Sequence, residues 1–163
     1  MNAYQKIIDK IFLPDNLAEQ RKAWKQQAKT VVFTNGCFDL IHAGHIDYLS
    51  KAAGLGHKLI IGLNSDASVK KIKGQGRPVN DEKTRSLVLA SFLFTDAIVL
   101  FDDETPLALI RNLQPDILVK GGDYEENDIV GANEVKLNGG KVIILPFIEG
   151  YSSSKIIDKI LKK

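Results

Sequence analysis

A single cysteine, Cys37, stands in 163 residues, so no disulfide can close within the chain and no cysteine-based metal cluster can form. No apolar run approaches the ~20 residues needed to cross a bilayer. The opening Met1-Asn2-Ala3-Tyr4-Gln5-Lys6 lacks the h-region of a secretory signal, and the chain is therefore expected to be soluble and cytoplasmic. Charge of one sign is also scarce. Lys and Arg number 22 against 20 Asp and Glu, leaving +2, too little for a protein built mainly to neutralise a nucleic-acid backbone. Neither a nucleic acid nor a membrane is expected as a partner. No internal repeat, low-complexity tract or domain-separating linker is present.

What is there suits one packed domain. Hydrophobic residues make up 44% and charged residues 26%, which excludes disorder and supplies a core. Five short runs rich in β-branched residues read as strands: Thr30–Thr34, Lys58–Leu63, Ala97–Phe101, Asp116–Val119 and Lys141–Leu145. Such runs fit strands buried on both faces, as in a parallel sheet. Helices are expected between them, over Ala43–Ala53, Asp81–Phe94 with Asn80 as N-cap, Pro106–Asn112 and Ser152–Leu161. The alternation predicts an α/β fold, a Rossmann-like doubly wound five-stranded parallel sheet with helices on both faces.

Residues 1–28 read as an N-terminal helical extension and residues 29–163 as the main domain. The extension divides at Pro14. Ile7, Ile8, Ile11 and Phe12 form an apolar stripe on its first piece, and Leu17 and Trp24 lie seven apart on its second. Covering the sheet or a subunit partner is the role expected of it.

In open α/β sheets, ligands bind beyond the carboxyl ends of the strands. The first predicted strand leads into Asn35-Gly36-Cys37-Phe38-Asp39-Leu40-Ile41-His42-Ala43-Gly44-His45. Asn64-Ser65-Asp66 follows the second, and Lys70, Lys71, Lys73 and Arg77 cluster just beyond. The fourth leads into Lys120-Gly121-Gly122-Asp123, and Ser152-Ser153-Ser154 opens the last helix. Gathered on one edge, these segments describe a cleft for a small anion. Gly36 permits a tight turn and close approach of backbone N–H groups to a phosphate. His42 and His45 share a helix face, separated by ~4.5 Å of rise. Gly44 leaves room between them for a ligand at the positive helix end. A histidine pair can also be half of a metal site, but no third ligand with recognisable metal spacing follows.

The segment Gly36-Cys37-Phe38-Asp39-Leu40-Ile41-His42-Ala43-Gly44-His45 resembles the HxGH-containing motif of the cytidylyltransferase-like nucleotidyltransferases. Further blocks resemble one branch of that superfamily: Thr34 to Asp39, Asn64 to Val69, Lys73-Gly74 through Arg77-Pro78-Val79-Asn80, and Leu118 to Tyr124. That branch is the D-glycero-β-D-manno-heptose 1-phosphate adenylyltransferases, which occur alone or fused to a sugar kinase. The resemblance runs in unbroken order over roughly residues 29–160, and no kinase segment lies within these residues. Tyr151-Ser152-Ser153-Ser154 departs from the pattern, which has threonines among the hydroxyl residues. Serine keeps the hydroxyl donor.

The resemblance implies transfer of AMP from ATP to a sugar 1-phosphate, with Mg²⁺ arriving on the triphosphate and few or no protein ligands for the metal. His42, His45 and Lys73 are the implied catalytic residues. Asn35, Gly36, Cys37, Phe38, Gly44, Arg85 and Ser152–Ser154 are expected to hold the nucleotide. Asp39, Asn64, Lys120, Gly122 and Asp123 are expected at the acceptor, with Asp39 open to a loop-shaping role instead. Lys70 and Lys71 are either solvated neighbours or part of the phosphate field. A homodimer would suit the family. Two other readings are carried forward, a glycerol-3-phosphate cytidylyltransferase using CTP and a non-catalytic nucleotide-binding module.

Overall fold

The computed structural model describes residues 2–122 and 124–162. Six strands form one sheet: β1 (Ile11–Phe12), β2 (Val31–Gly36), β3 (Lys58–Asn64), β4 (Ala97–Phe101), β5 (Ile117–Gly121) and β6 (Lys141–Leu145). Their order is β1-β4-β3-β2-β5-β6, and every pairing is parallel. Helices α1 (Ala3–Ile8), α2 (Pro14–Gln26), α3 (Ala43–Ala53), α4 (Asp66–Lys73), α5 (Glu82–Ala90), α6 (Leu107–Leu113), α7 (Ala132–Leu137) and α8 (Ser153–Leu161) complete the chain, with a short 3₁₀ turn at Glu126–Asp128.

Period-two alternation divides the core between the two sheet faces. Val31, Phe33, Ile60, Ala97, Val99 and Leu118 point to one face, where Leu17 and Trp24 of α2 join Leu109, Ile110 and Leu113 of α6 and Val135 of α7. Val32, Leu59, Ile61, Leu63, Ile98 and Val119 point to the other, against Tyr48, Leu49 and Ala52 of α3 and Leu89 and Ala90 of α5. Arg21 of α2 ties its layer to the sheet by donating to Asp116 Oδ1 and the Gln114 carbonyl, both at 3.0 Å. The other oxygen of Asp116 accepts from Val31 N at 2.7 Å.

The α/β class and the five long strands agree with the sequence reading. The sixth strand corrects it. Ile11 and Phe12, assigned to a helical stripe, pair with Ile98 and Val99 at the sheet edge. Two residues of strand carry no readable alternation, and Ile7 and Ile11 share a helix-like spacing of four. Helix α4 is not among the expected helices, because its last turn holds Lys70, Lys71 and Lys73, yet Ser68 and Val69 on its inner side are buried. Helix α5 begins one residue later than expected. Asp81, not Asn80, caps it by accepting from Thr84 N at 2.7 Å, because Asn80 is engaged elsewhere.

Candidate active site

From β2 the chain continues through α3 to β3 on one side, while β5 lies on the other side of β2. The loops leaving β2 and β5 therefore diverge, and a crevice opens between them at the carboxyl edge. A cavity of about 620 Å³ occupies this place, lined by the ends of β2, β3 and β5, the start of α3 and the start of α8. Its floor is cross-braced. Tyr48 of α3 donates to the Val119 carbonyl at 3.2 Å and accepts from Thr34 Oγ1 at 2.6 Å, joining β2 to β5 across the divergence. Burial pushes the Tyr48 phenol up to about 12, so it stays a neutral hydrogen-bonding group.

His42 is the N-cap residue of α3 and His45 lies in its first turn. Their rings stack with centroids 3.8 Å apart and planes inclined by 17°. Phe38 meets His45 edge-on at 5.3 Å, and Tyr151 lies beside His42 at 6.0 Å. Gly44 makes this possible, since a Cβ there would sit 3.1 Å from both His42 Nδ1 and Tyr151 Cβ. Burial holds the His42 imidazole below its usual pKa. Burial, with the neighbouring His42 adding to it, brings His45 down to about 4. Both rings are therefore neutral near pH 7, and both Nδ1 atoms are buried without a protein partner among the described residues. Uncharged imidazoles at a helix N-terminus offer directional hydrogen bonds, while permanent charge must come from lysine.

Two lysines supply it. Lys73 ends α4, is exposed and lines the cavity, whereas Lys70 and Lys71 do not. Lys120, in β5, reaches Asn35 Oδ1 at 3.4 Å and lies 5.8 Å from the centre of the Tyr124 ring. Burial lowers its pKa, against a smaller opposing effect of Cys37. No carboxylate pairs with it among the described residues.

Asn35, Gly36, Cys37, Phe38, Gly44 and Ser152 to Ser154 also line the cavity. Ser152 caps α8 by accepting from Lys155 N at 3.2 Å, and Ser153 donates to the Leu40 carbonyl at 2.8 Å. Cys37 is a thiol, its pKa raised chiefly by burial, 3.9 Å from Asn64 Oδ1. Asn64 borders the cavity but spends its amide on Ser68 Oγ at 3.0 Å.

Three expected site residues stand differently. Asp39 touches the cavity, but its carboxylate is fully used. It accepts from Arg77 Nε at 2.6 Å, Val79 N at 2.7 Å and Asn80 N at 3.1 Å. Burial alone would raise its pKa, but the Arg77 hydrogen bond and the two backbone N–H groups outweigh burial and hold it low. Of the two roles open to Asp39, the geometry favours shaping the loop. Arg85 is not brought to the cavity at all. It is 1% exposed and donates to the carbonyls of Cys37, Asn64 and Asn80 and to Asp66. Gly122 adopts φ +114° beneath the Phe147 ring, and its neighbour Gly121 faces the cavity instead. Asp123 lies outside the described residues.

Sequence reasoning missed the rest of the wall. Glu104, Thr105 and Pro106 follow β4, Asp128 follows β5, and Phe147 and Ile148 follow β6. The β4 end holds Asp102-Asp103-Glu104, a polar signal at the same edge as the others. Phe147 carries no such signal, since a lone apolar residue past Pro146 looks no different from one that packs into the core.

The Cytidylyltransferase-like family model matches residues 33–159. The chain is 58% identical over 139 residues to the bifunctional protein HldE of Campylobacter jejuni subsp. doylei, covering 85% of this chain and 29% of that protein. It is 47% identical over 152 residues to the bifunctional protein HldE of Wolinella succinogenes, covering 93% and 31%. The chain thus spans under a third of the length of these relatives. A crystal structure of the lipopolysaccharide core biosynthesis protein from Thermoplasma volcanium superposes with TM-score 0.61 at 25% identity, over 76% of this chain and 99% of that one. The pantoate-beta-alanine ligase from Francisella tularensis shares the fold, with TM-score 0.60 at 17% identity over 94% and 78%. The HxGH segment, the crevice it borders and the match across residues 33–159 agree, and the chain belongs to the cytidylyltransferase-like family of nucleotidyltransferases.

Proposed function

We propose that this chain transfers AMP from ATP to D-glycero-β-D-manno-heptose 1-phosphate, giving ADP-heptose and pyrophosphate for lipopolysaccharide or a related glycan. The observation that carries the reading is the stacked neutral pair His42–His45 in the one cavity that also holds Lys73 and Lys120. Identity of 58% to a bifunctional HldE over this segment supports the heptose branch, whose members occur alone or joined to a second enzyme.

In the reaction an oxygen of the acceptor phosphate attacks the α-phosphorus of ATP. The bond from that phosphorus to the α,β-bridging oxygen breaks, and pyrophosphate leaves with the electron pair. No covalent enzyme intermediate forms, so catalysis consists of positioning and charge stabilisation. His42 and His45 donate to oxygens on which charge builds in the transition state. Lys73 and Lys120 neutralise donor and acceptor phosphates. Ser152 to Ser154 offer hydroxyl and N–H groups to the β- and γ-phosphates at the start of α8.

Mg²⁺ belongs to this scheme as a passenger on the triphosphate, neutralising its charge. Among the described residues no three His, Cys, Asp or Glu gather in a way that could hold an ion; in this scheme the metal would be held by phosphate oxygens and water.

Pyrophosphate release with ATP or CTP against heptose 1-phosphate or glycerol 3-phosphate gives four rates. ATP with heptose 1-phosphate should be fastest by on the order of 10² or more, because a site built around sugar hydroxyls leaves its own groups unpaired with a shorter polyol phosphate. If CTP with glycerol 3-phosphate wins, the branch assignment falls. No turnover with any pair would favour a non-catalytic nucleotide-binding module.

A further inference from the structure

Arg85 is the largest of the fully buried side chains. Its guanidinium gathers three backbone carbonyls and one carboxylate from separate segments. Nη1 donates to Cys37 O at 2.7 Å and Asn64 O at 2.8 Å, Nε to Asn80 O at 3.0 Å, and Nη2 to Asp66 Oδ1 at 2.7 Å. These acceptors lie in the loop after β2, at the end of β3, in the loop before α5 and at the start of α4. A planar fork with five N–H donors can hold so many oxygens at once, and a lysine ammonium cannot. The Asp66 side chain, a third exposed, compensates the buried cation without lining the cavity.

The Cys37 contact has a directional consequence. In a trans peptide the C=O and the following N–H point to opposite sides. With the Cys37 carbonyl turned toward buried Arg85, the N–H of Phe38 is turned away from it. Phe38 borders the cavity, and among the described residues its N–H has no hydrogen-bond partner. Phe38 also holds φ at +44°, a left-handed conformation that costs a non-glycine residue and persists only where the surroundings impose it. The peptide that precedes this φ is the one whose carbonyl Arg85 holds at 2.7 Å.

We infer that Arg85 is a positioning residue, which never meets substrate and instead clamps the Cys37–Phe38 peptide so that the Phe38 N–H faces the transferring phosphate. Asp66 is part of the same device, because it fixes the guanidinium in the orientation that reaches Cys37. The inference rests on the reading of the cavity as an ATP site.

The test joins nuclear magnetic resonance to kinetics. In ¹⁵N-labelled wild type, ATP should shift the Phe38 amide resonance well beyond those of amides on the far side of the sheet. Asp66→Asn leaves Arg85 and every cavity-lining residue in place. It should lower kcat on the order of tenfold, change the KM for ATP less, and shrink the ATP-induced Phe38 shift while amide resonances on the far side of the sheet keep their wild-type positions. Arg85→Lys should cost at least as much in kcat, and adding Asp66→Asn to it should cost little more, since the two act as one unit. ATP binding without a Phe38 shift, or Asp66→Asn with full kcat, overturns the clamp and leaves the proposed function standing. No ATP binding by the wild type overturns both. The Asp66→Asn arm keeps the inference testable if Arg85→Lys does not fold.

Discussion

At the scale of single residues, two neutral imidazoles and two lysines border the same cavity. His42 and His45 carry no charge near pH 7, since burial lowers both and brings His45 to about 4. In the proposed reaction they would add little to ground-state attraction for a polyanion and most where charge is developing. His42→Ala and His45→Ala should each lower kcat by on the order of 10²–10³ while changing ATP affinity much less. Steady-state kinetics beside calorimetric ATP titration reads both quantities, and near-normal kcat in either variant removes that ring from the transition state. Lys73 and Lys70 offer a comparison on one helix. Only Lys73 borders the cavity, so Lys73→Ala should raise the KM for both substrates on the order of tenfold and Lys70→Ala should change it little. Equal losses would mean that the cluster acts as a diffuse field.

At the scale of elements, the strands were legible because burial on both faces demands apolar runs whose ends carry polar residues. Helix α4 was not, because three lysines mask an inner side made by Ser68 and Val69. Strand β1 was not, because two residues paired to β4 leave no periodicity to read. The middle of the sheet makes its own prediction. Gly62 of β3 is buried, and a Cβ there would lie 2.8 Å from Phe33 Cζ and 3.3 Å from Leu109 Cδ2. Phe33 is fully buried and cannot swing away, so Gly62→Ala should cost about 1–3 kcal/mol by overpacking. Chemical denaturation measures it, and an unchanged midpoint would show that the ring relocates freely.

At the scale of the whole molecule, the buried site couples stability to pH. As pH falls below about 6.5, the unfolded chain protonates His45 first, because the folded pKa is about 4. The unfolded state then binds more protons, and folding stability declines between those two values. Asp39 extends the loss downward, since its folded pKa is depressed and its stabilisation disappears as pH falls through that lower value. The denaturation midpoint should hold steady above about pH 6.5 and fall below it. In His45→Gln the fall between pH 6.5 and the carboxylate range should be smaller. A midpoint level from pH 7 to pH 4.5 would show that His45 titrates normally.

Local order decided what could be read from the sequence alone: the alternation of strands and helices, the edge at which polar segments collect, and the spacing that puts His42 and His45 on one face. These depend on residues within a turn or two of one another. Tertiary structure decided which lysine of the cluster faces the cavity, that Asp39 is consumed by Arg77 and the backbone of Val79 and Asn80, and that Arg85 lies behind the loop after β2 and not in the cavity. The reason lies in sequence distance. Arg85 meets Cys37 across 48 positions and Asn64 across 21, and only the packing of α5 against the sheet brings a guanidinium to carbonyls that have no sequence signature.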